Sequence, residues 1–321
     1  MDYKKIIVDS WIYTQNNKKL ILWFGFIPSL LTTTVNIYLI AYQIFAFKKS
    51  YIFGDDEGSA LEEVVFFMWD FIKTHLNWTV PLIIIAAIFG VLYFLFPTLA
   101  KASSLQVIAR NRNGQEAGVG TGLKYGIMSF LQLFEYHLLI GTFSFFSLLI
   151  EMSFVVRNLG PVIFKLMLPV FFIFIIISFA LTLLFTYADF FIVIDGKGVF
   201  ESMKASGKLV ILSWKHTVLI TILMLLIGVR VFIQAIMVFA IPALIIVITG
   251  YIATITLPVT GLLIGGIVGI VALFFASYLN GVIDIFSYTV WTYTFLALTS
   301  EKHVSAREVV EGGKSGFALR G

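Results

Sequence analysis

Apolar runs long enough to cross a hydrocarbon core of ~30 Å recur along the whole length of this 321-residue chain. Of its residues, 60% are hydrophobic and 12% are charged, roughly half the charged fraction of a soluble domain. Such runs cross a membrane as helices, because a helix satisfies its own backbone hydrogen bonds. We therefore predict an all-α polytopic membrane protein, with one transmembrane domain at residues 1–300 and a cytoplasmic tail at residues 301–321.

Six transmembrane helices are predicted from the apolar runs, at residues 20–47, 80–99, 136–156, 161–187, 215–247 and 260–300. Residues 231–255 are long enough for a separate span, so seven is the alternative count. With six spans, sixteen of the 22 Lys and Arg residues lie on the side of the two termini, and six lie on the other side. Basic residues concentrate on the cytoplasmic side of membrane proteins, so this bias favours six spans in a cell inner (plasma) membrane, with both termini cytoplasmic.

Short amphipathic segments precede the first, third and fifth spans, at residues 2–17, 121–135 and 199–213. Each carries polar residues along one side and apolar residues along the other, which is typical of helices that lie in the membrane surface. The pattern predicts a threefold repeat of surface helix, span, span.

Several classes of site are excluded by composition. The chain has no Cys, which rules out disulfides, thiolate metal sites and Cys nucleophiles. The net charge of +4 is modest and accompanies no nucleic-acid-binding motif, so we expect no nucleic-acid partner. Residues 312–315, Gly-Gly-Lys-Ser, share the end of a phosphate-loop pattern, but Glu308 occupies the position of its first Gly. We therefore predict no nucleotide site and no cofactor.

Three stretches carry a family resemblance: residues 187–198, Tyr-Ala-Asp-Phe-Phe-Ile-Val-Ile-Asp-Gly-Lys-Gly; residues 201–207, Glu-Ser-Met-Lys-Ala-Ser-Gly; and residues 288–293, Tyr-Thr-Val-Trp-Thr-Tyr. With the six-span plan, they resemble an uncharacterised bacterial six-span family that includes the membrane domain fused to some glycerophosphodiester phosphodiesterases. The resemblance implies a span that ends in aromatic residues, then a turn, then a surface helix with small polar residues, here Ser202 and Ser206. The 321 residues include no phosphodiesterase catalytic domain, so the resemblance implies no catalytic activity.

Asp284 and Asn280 lie four residues apart in the last span, and so on one face of its helix. A rise of ~1.5 Å per residue places Asp284 roughly 18–20 Å along the span, near the middle of the bilayer. A carboxylate at that depth is costly unless it is paired or faces water. We therefore predict that this face either binds a ligand, such as a proton, a cation or a polar headgroup, or bridges two helices.

Other polar residues lie nearer the membrane surfaces. Arg230, near the outer part of the fifth span, is predicted to anchor that helix by reaching the outer headgroups. A cluster is predicted at the inner interface, where surface helices meet spans; its candidate members are Glu135, His137, Asp189 and His216. The alternative for these residues is helix capping. No two His have metal-ligand spacing in one helix, so no metal site is predicted.

Three functions are compatible with these features. The first is a non-enzymatic integral membrane protein, an accessory or scaffold component that binds lipid or a partner complex, which the scarcity of charge within the spans favours. The second is a transporter or lipid-translocating protein that uses the Asp284 face. The third is a membrane-embedded lipid enzyme built on the interfacial cluster. Membrane lipids are the expected partners, with a protein partner in a membrane complex as the alternative.

Overall fold

The computed structural model describes residues 1–48, 60–141, 143–231, 233 and 258–317, and every regular element in those ranges is a helix. We number the helices in chain order. They are α1 (Tyr3–Asn16), α2 (Lys18–Leu20, a π-helical turn Ile21–Phe26, then Ile27–Lys48), α3 (Ala60–Thr74), α4 (Leu76–Arg112), α5 (Val119–Gly141), α6 (Phe145–Asn158), α7 (Gly160–Leu184), α8 (Ala188–Val193), α9 (Val199–Leu212), α10 (Trp214–Val231) and α11 (Pro258–Phe317).

Five of these helices are long and apolar enough to cross a membrane: Lys18–Leu39 within α2, α4, α7, α10, and Gly266–Ser300 within α11. The prediction of an all-α polytopic membrane protein is confirmed. The count of six spans is not confirmed among the described residues. The end of the predicted fifth span, and the question of a separate span at 231–255, fall almost entirely outside them.

The predicted third span, residues 136–156, is divided between two helices. Helix α5 ends at Gly141, and α6 begins at Phe145 after Ser144, whose backbone is extended (φ −67°, ψ 139°). The Ser147 hydroxyl donates to the Gly141 carbonyl at 3.0 Å, which satisfies a group that the helix end leaves unpaired. Hydropathy alone does not register this break, because Gly and Ser interrupt the run only briefly.

In the first and third units of the predicted repeat, a separate short helix precedes the span, whereas the placement of these helices in the membrane surface stays a prediction. Helix α1 is separated from α2 at Asn17, and α9 is separated from α10 at Ser213. The second unit differs, because α5 runs without interruption through the predicted boundary at residue 135. Residues 130–140 contain neither Gly nor Pro, so nothing local ends the helix there.

Helix α4 extends well past the predicted end of its span at residue 99, and its second half is among the most buried parts of the structure. Ala102, Leu105 and Ile108 are fully buried there. Glycines on α5 permit this close packing: a Cβ on Gly126 would lie 2.8 Å from the backbone nitrogen of Ser103. The polar residues that follow span two therefore belong to a packed helix pair.

The buried side chains form two adjoining clusters made by α1, α2, the second half of α4, α5, α8, α9, Ile220 of α10 and the second half of α11. The apolar parts of the spans pack far less. Only 6% of the most apolar stretch of α4 is buried. The corresponding stretches of α7, α10 and α11 are each 11% buried, whereas that of α2 is 39% buried. The described helices thus pack closely at one end, whereas the most apolar stretches of α4, α7, α10 and α11 are little buried.

Candidate functional site

Asp284 and Asn280 face α2, and both form hydrogen bonds with it. The Ser29 hydroxyl donates to Asp284 Oδ2 at 3.0 Å, and Asn280 Nδ2 donates to Thr33 Oγ1 at 3.3 Å. Each partner pair has the same spacing of four residues, so the two hydrogen bonds form successive rungs between the helices. This is the arrangement that the helix-bridging alternative predicts, whereas a ligand at Asp284 stays a prediction.

Asp189 lies in the first turn of α8, where it meets side chains from two other helices. Lys101 of α4 donates a hydrogen bond to Asp189 Oδ2, and His137 Nε2 of α5 lies 3.3 Å from Asp189 Oδ1. The other His137 nitrogen, Nδ1, lies 3.5 Å from the Thr98 hydroxyl. One carboxylate therefore ties together α4, α5 and α8.

The charges of this cluster stabilise one another. Burial by itself would raise the pKa of Asp189, but the Lys101 ammonium and the His137 ring outweigh burial and hold that pKa well below its usual range. The side chains of Asp189 and Lys101 are only 13% and 24% exposed. Separating the two side chains would leave a buried charge without this partner, which is costly. The contact therefore stabilises the position of α8 against α4.

The predicted interfacial cluster is only partly assembled. Asp189 and His137 come together, but Glu135 is exposed on α5, where residues two apart do not share a face. His216 of α10 is hydrogen-bonded through Nδ1 to the Tyr3 hydroxyl of α1. The structure therefore divides the four predicted residues between separate places, and Glu135 and His216 do not join the cluster at Asp189.

Lys101 is the member that the sequence reasoning missed. It also lies 5.8 Å from the centre of the Tyr288 ring of α11. The available signal was its setting, since Lys101 follows an apolar run and is flanked by the small residues Ala100 and Ala102. Small neighbours at a helix position indicate close packing, and a lysine there requires a partner.

The structure also describes Arg230 of α10 and several glycines of α11. Arg230 is exposed near the end of α10, and its contact with headgroups stays a prediction. Near the start of the last candidate span, a Cβ added at Gly266 or Gly269 would meet no atom within 4 Å. The close approach of α11 is made at Gly281 instead.

Ser202 and Ser206 of α9 are fully buried. The Ser206 hydroxyl accepts from the Tyr187 backbone N–H at 3.0 Å and donates to the Leu184 carbonyl at 2.8 Å, while Ser202 donates to the Lys197 carbonyl at 3.3 Å. These small polar residues therefore join α9 to the end of α7 and to the turn before α9.

No metal centre is formed by the part of the chain that the structure describes: no group of three or more His, Asp or Glu side chains there is placed to hold an ion. No known protein family, curated protein or solved structure matches the chain. The resemblance to the six-span family that includes the phosphodiesterase-fused membrane domain accordingly stays a prediction.

Proposed function

We propose that the chain is a non-enzymatic integral membrane protein, an accessory or scaffold component that binds lipid or a partner complex. The observation that carries this proposal is the contrast between its two ends. One end is densely packed, whereas only 6% of the most apolar stretch of α4, and 11% of those of α7, α10 and α11, is buried. Bare apolar helices in a membrane offer their surface to lipid or to partner helices.

The ionisable residues inside the bundle support the same proposal. Asp189 is engaged by Lys101 and His137, and Asp284 accepts a hydrogen bond from Ser29. Each of these contacts joins different helices, so the polar groups contribute to a fixed framework. A fixed framework of this kind suits a protein whose surface binds lipid or a partner complex.

We propose further that this packed end faces the cytoplasm of a bacterial inner membrane, with both termini on that side. Segments predicted for one side do meet there: Arg112 at the end of α4 lies 3.5 Å from Asp9 of α1 and 4.3 Å from the Tyr293 ring of α11. The excess of basic residues in those segments supports the cytoplasmic assignment.

Native mass spectrometry of the gently solubilised protein tests the proposed function. The wild type is compared with Asp284→Asn and with Ser29→Ala, which removes the hydrogen bond but keeps the carboxylate. We expect bound lipid, or a stoichiometric partner, to be retained equally by all three proteins. The protein is also incubated with liposomes, where lipid masses should stay constant; conversion of any lipid would contradict a non-enzymatic role.

Transport is the second candidate, and one observation favours it. Lys101 contacts Asp189 of α8 and lies 5.8 Å from the centre of the Tyr288 ring, about one helical turn from Asp284, so ionisable groups follow one another from α8 towards the interior of α11. In liposomes carrying the wild type, a proton or cation flux that disappears in Asp284→Asn and persists in Ser29→Ala would establish transport and overturn the scaffold proposal. Equal leakage from all three preparations supports the scaffold proposal.

A further inference from the structure

A basic cavity of about 900 Å³ opens at the packed end, between the end of α4, the turn that joins α8 to α9, and α11. Three basic side chains line it, Arg112, Lys197 and Lys208, against one acidic side chain, Asp195. The polar residues Asn113, Thr299 and Ser300 also line it. The balance of charge in the lining is therefore positive, which suits an anionic ligand.

Two of these cations are held in place by aromatic rings. The Arg112 guanidinium lies 4.3 Å from the centre of the Tyr293 ring, and Lys197 Nζ lies 4.4 Å from the centre of the Phe191 ring. Their acidic neighbours are at salt-bridge distances of 3.5 Å: Asp9 for Arg112 and Asp195 for Lys197. Because these pairs are partly exposed, solvent screens them, and a phosphate can compete for the same cations.

An apolar groove of about 590 Å³ lies on the other side of Lys208, between α9 and the end of α7. Its walls include Leu184 and Phe185, where a predicted membrane span ends, and Ile211 and Leu212 of α9. Ile211 and Leu212 are 67% and 62% exposed. Lys208 lines both the basic cavity and the apolar groove, so the two are adjacent.

We propose that the basic cavity and the apolar groove together bind one anionic phospholipid, with its phosphate headgroup at Lys197, Lys208 and Arg112 and an acyl chain along the groove. This rests on the proposed function, in which the chain binds lipid. A cavity with excess positive charge accepts any phosphate, but the adjoining apolar groove needs an apolar segment in the same ligand. The exposed Trp214 that follows α9 is typical of the membrane interface, where such headgroups lie.

Native mass spectrometry of the full-length protein tests the site, with phosphatidylglycerol and phosphatidylcholine of identical acyl chains as probes. The charge variant is Lys197→Gln/Lys208→Gln. Its matched control is Lys124→Gln/Lys165→Gln, which removes two exposed lysines that line neither the cavity nor the groove. We expect the wild type and the control to retain phosphatidylglycerol over phosphatidylcholine, and the charge variant to bind phosphatidylglycerol roughly tenfold more weakly.

The groove is tested separately with Gly207→Leu. A Cβ at Gly207, which lines the groove, meets no atom within 4 Å, so the longer side chain can occupy the groove without a clash within the described chain. We expect this variant to bind phosphatidylglycerol more weakly with every basic residue still present. Competition with glycerol 3-phosphate and with inorganic phosphate should displace the lipid only weakly, because neither contains an acyl chain.

Three results would overturn the site. Efficient displacement by glycerol 3-phosphate, with no effect of Gly207→Leu, would identify a soluble phosphate as the occupant. Equal retention of both lipids by every variant would contradict this site but would leave the proposed lipid-binding function in place. Retention of no lipid by any protein would remove both the site and that function. Thermal unfolding of each variant, followed by tryptophan fluorescence, verifies that it is folded.

Discussion

Gly25 of α2 and Gly281 of α11 meet backbone to backbone. A Cβ on Gly25 would lie 2.5 Å from the carbonyl oxygen of Gly281, and a Cβ on Gly281 would lie 2.5 Å from the backbone nitrogen of Phe26. No side chain fits at that separation, so both residues must be Gly for the helices to approach. Ser29 and Asp284, which share a hydrogen bond, each lie about one helical turn from the glycine of their own helix.

Gly281→Ala is therefore expected to force α2 and α11 apart. Overpacking of this kind costs about 1–3 kcal/mol, and the loss of the neighbouring hydrogen bond adds to it. The control is Gly90→Ala in α4, where an added Cβ meets nothing within 4 Å. Thermal unfolding in detergent, followed by tryptophan fluorescence, should show a lower midpoint for Gly281→Ala and an unchanged or slightly higher midpoint for Gly90→Ala. Equal midpoints would show that the contact is not close in the protein.

The sequence predicted the helical membrane architecture because long apolar runs leave few alternatives. It did not predict where α4 ends. Residues 100–112 are mostly small, polar or basic, which suggests the end of a span, yet they form a largely buried helix because α5 and α8 cover them. Hydropathy indicates which residues suit contact with lipid. For the remaining residues it does not distinguish exposure to water from burial against a neighbouring helix.

Breaking the contact between Lys101 and Asp189 from one side should be more damaging than removing both charges. Lys101→Met leaves the buried Asp189 carboxylate with His137 but without its ammonium partner, and is expected to cost about 3 kcal/mol. The double variant Lys101→Met/Asp189→Leu removes both charges and should regain much of that loss. Unfolding midpoints of the wild type, both single variants and the double variant form the necessary cycle. Additive losses would show that the two side chains do not interact.

The candidate site illustrates what spacing along one helix can and cannot provide. The four-residue spacing of Asn280 and Asp284 placed both on one face, and the structure brings that face against α2. The partner residues Ser29 and Lys101 were not predicted as partners, because they come from helices distant in sequence. Which helix covers a given face depends on packing, here on the small residues that let particular helices approach.

Ser206→Ala is expected to loosen the junction of α7, α8 and α9. The hydroxyl makes two short hydrogen bonds with buried backbone groups of Tyr187 and Leu184. Its removal leaves those groups without that partner, at an expected cost of about 2 kcal/mol. Ser202→Ala is the matched control, because Ser202 is equally buried on the same helix but makes one longer hydrogen bond. Unfolding midpoints should fall further for Ser206→Ala, and the reverse order would contradict the bridging role.

Asp189 should make the stability of the protein depend on pH in the acid range. Its pKa in the folded protein is held below the ordinary value by Lys101 and His137, against the effect of burial. The stabilisation is therefore complete above the ordinary pKa of ~3.9 and is lost progressively as the pH falls from there towards the lowered value.

Asp189→Asn has no charge to lose and should resemble the protonated wild type. The unfolding midpoint of the wild type is therefore expected to exceed that of Asp189→Asn at about pH 5. The difference should begin to shrink below about pH 4 and should vanish only towards the lowered pKa of Asp189. Asp70→Asn on α3, where Asp70 is exposed, provides the control and should follow the wild type at every pH. A difference between the wild type and Asp189→Asn that stays constant down to the lowest pH would show that the carboxylate charge does not contribute, because neutralising it would then cost nothing.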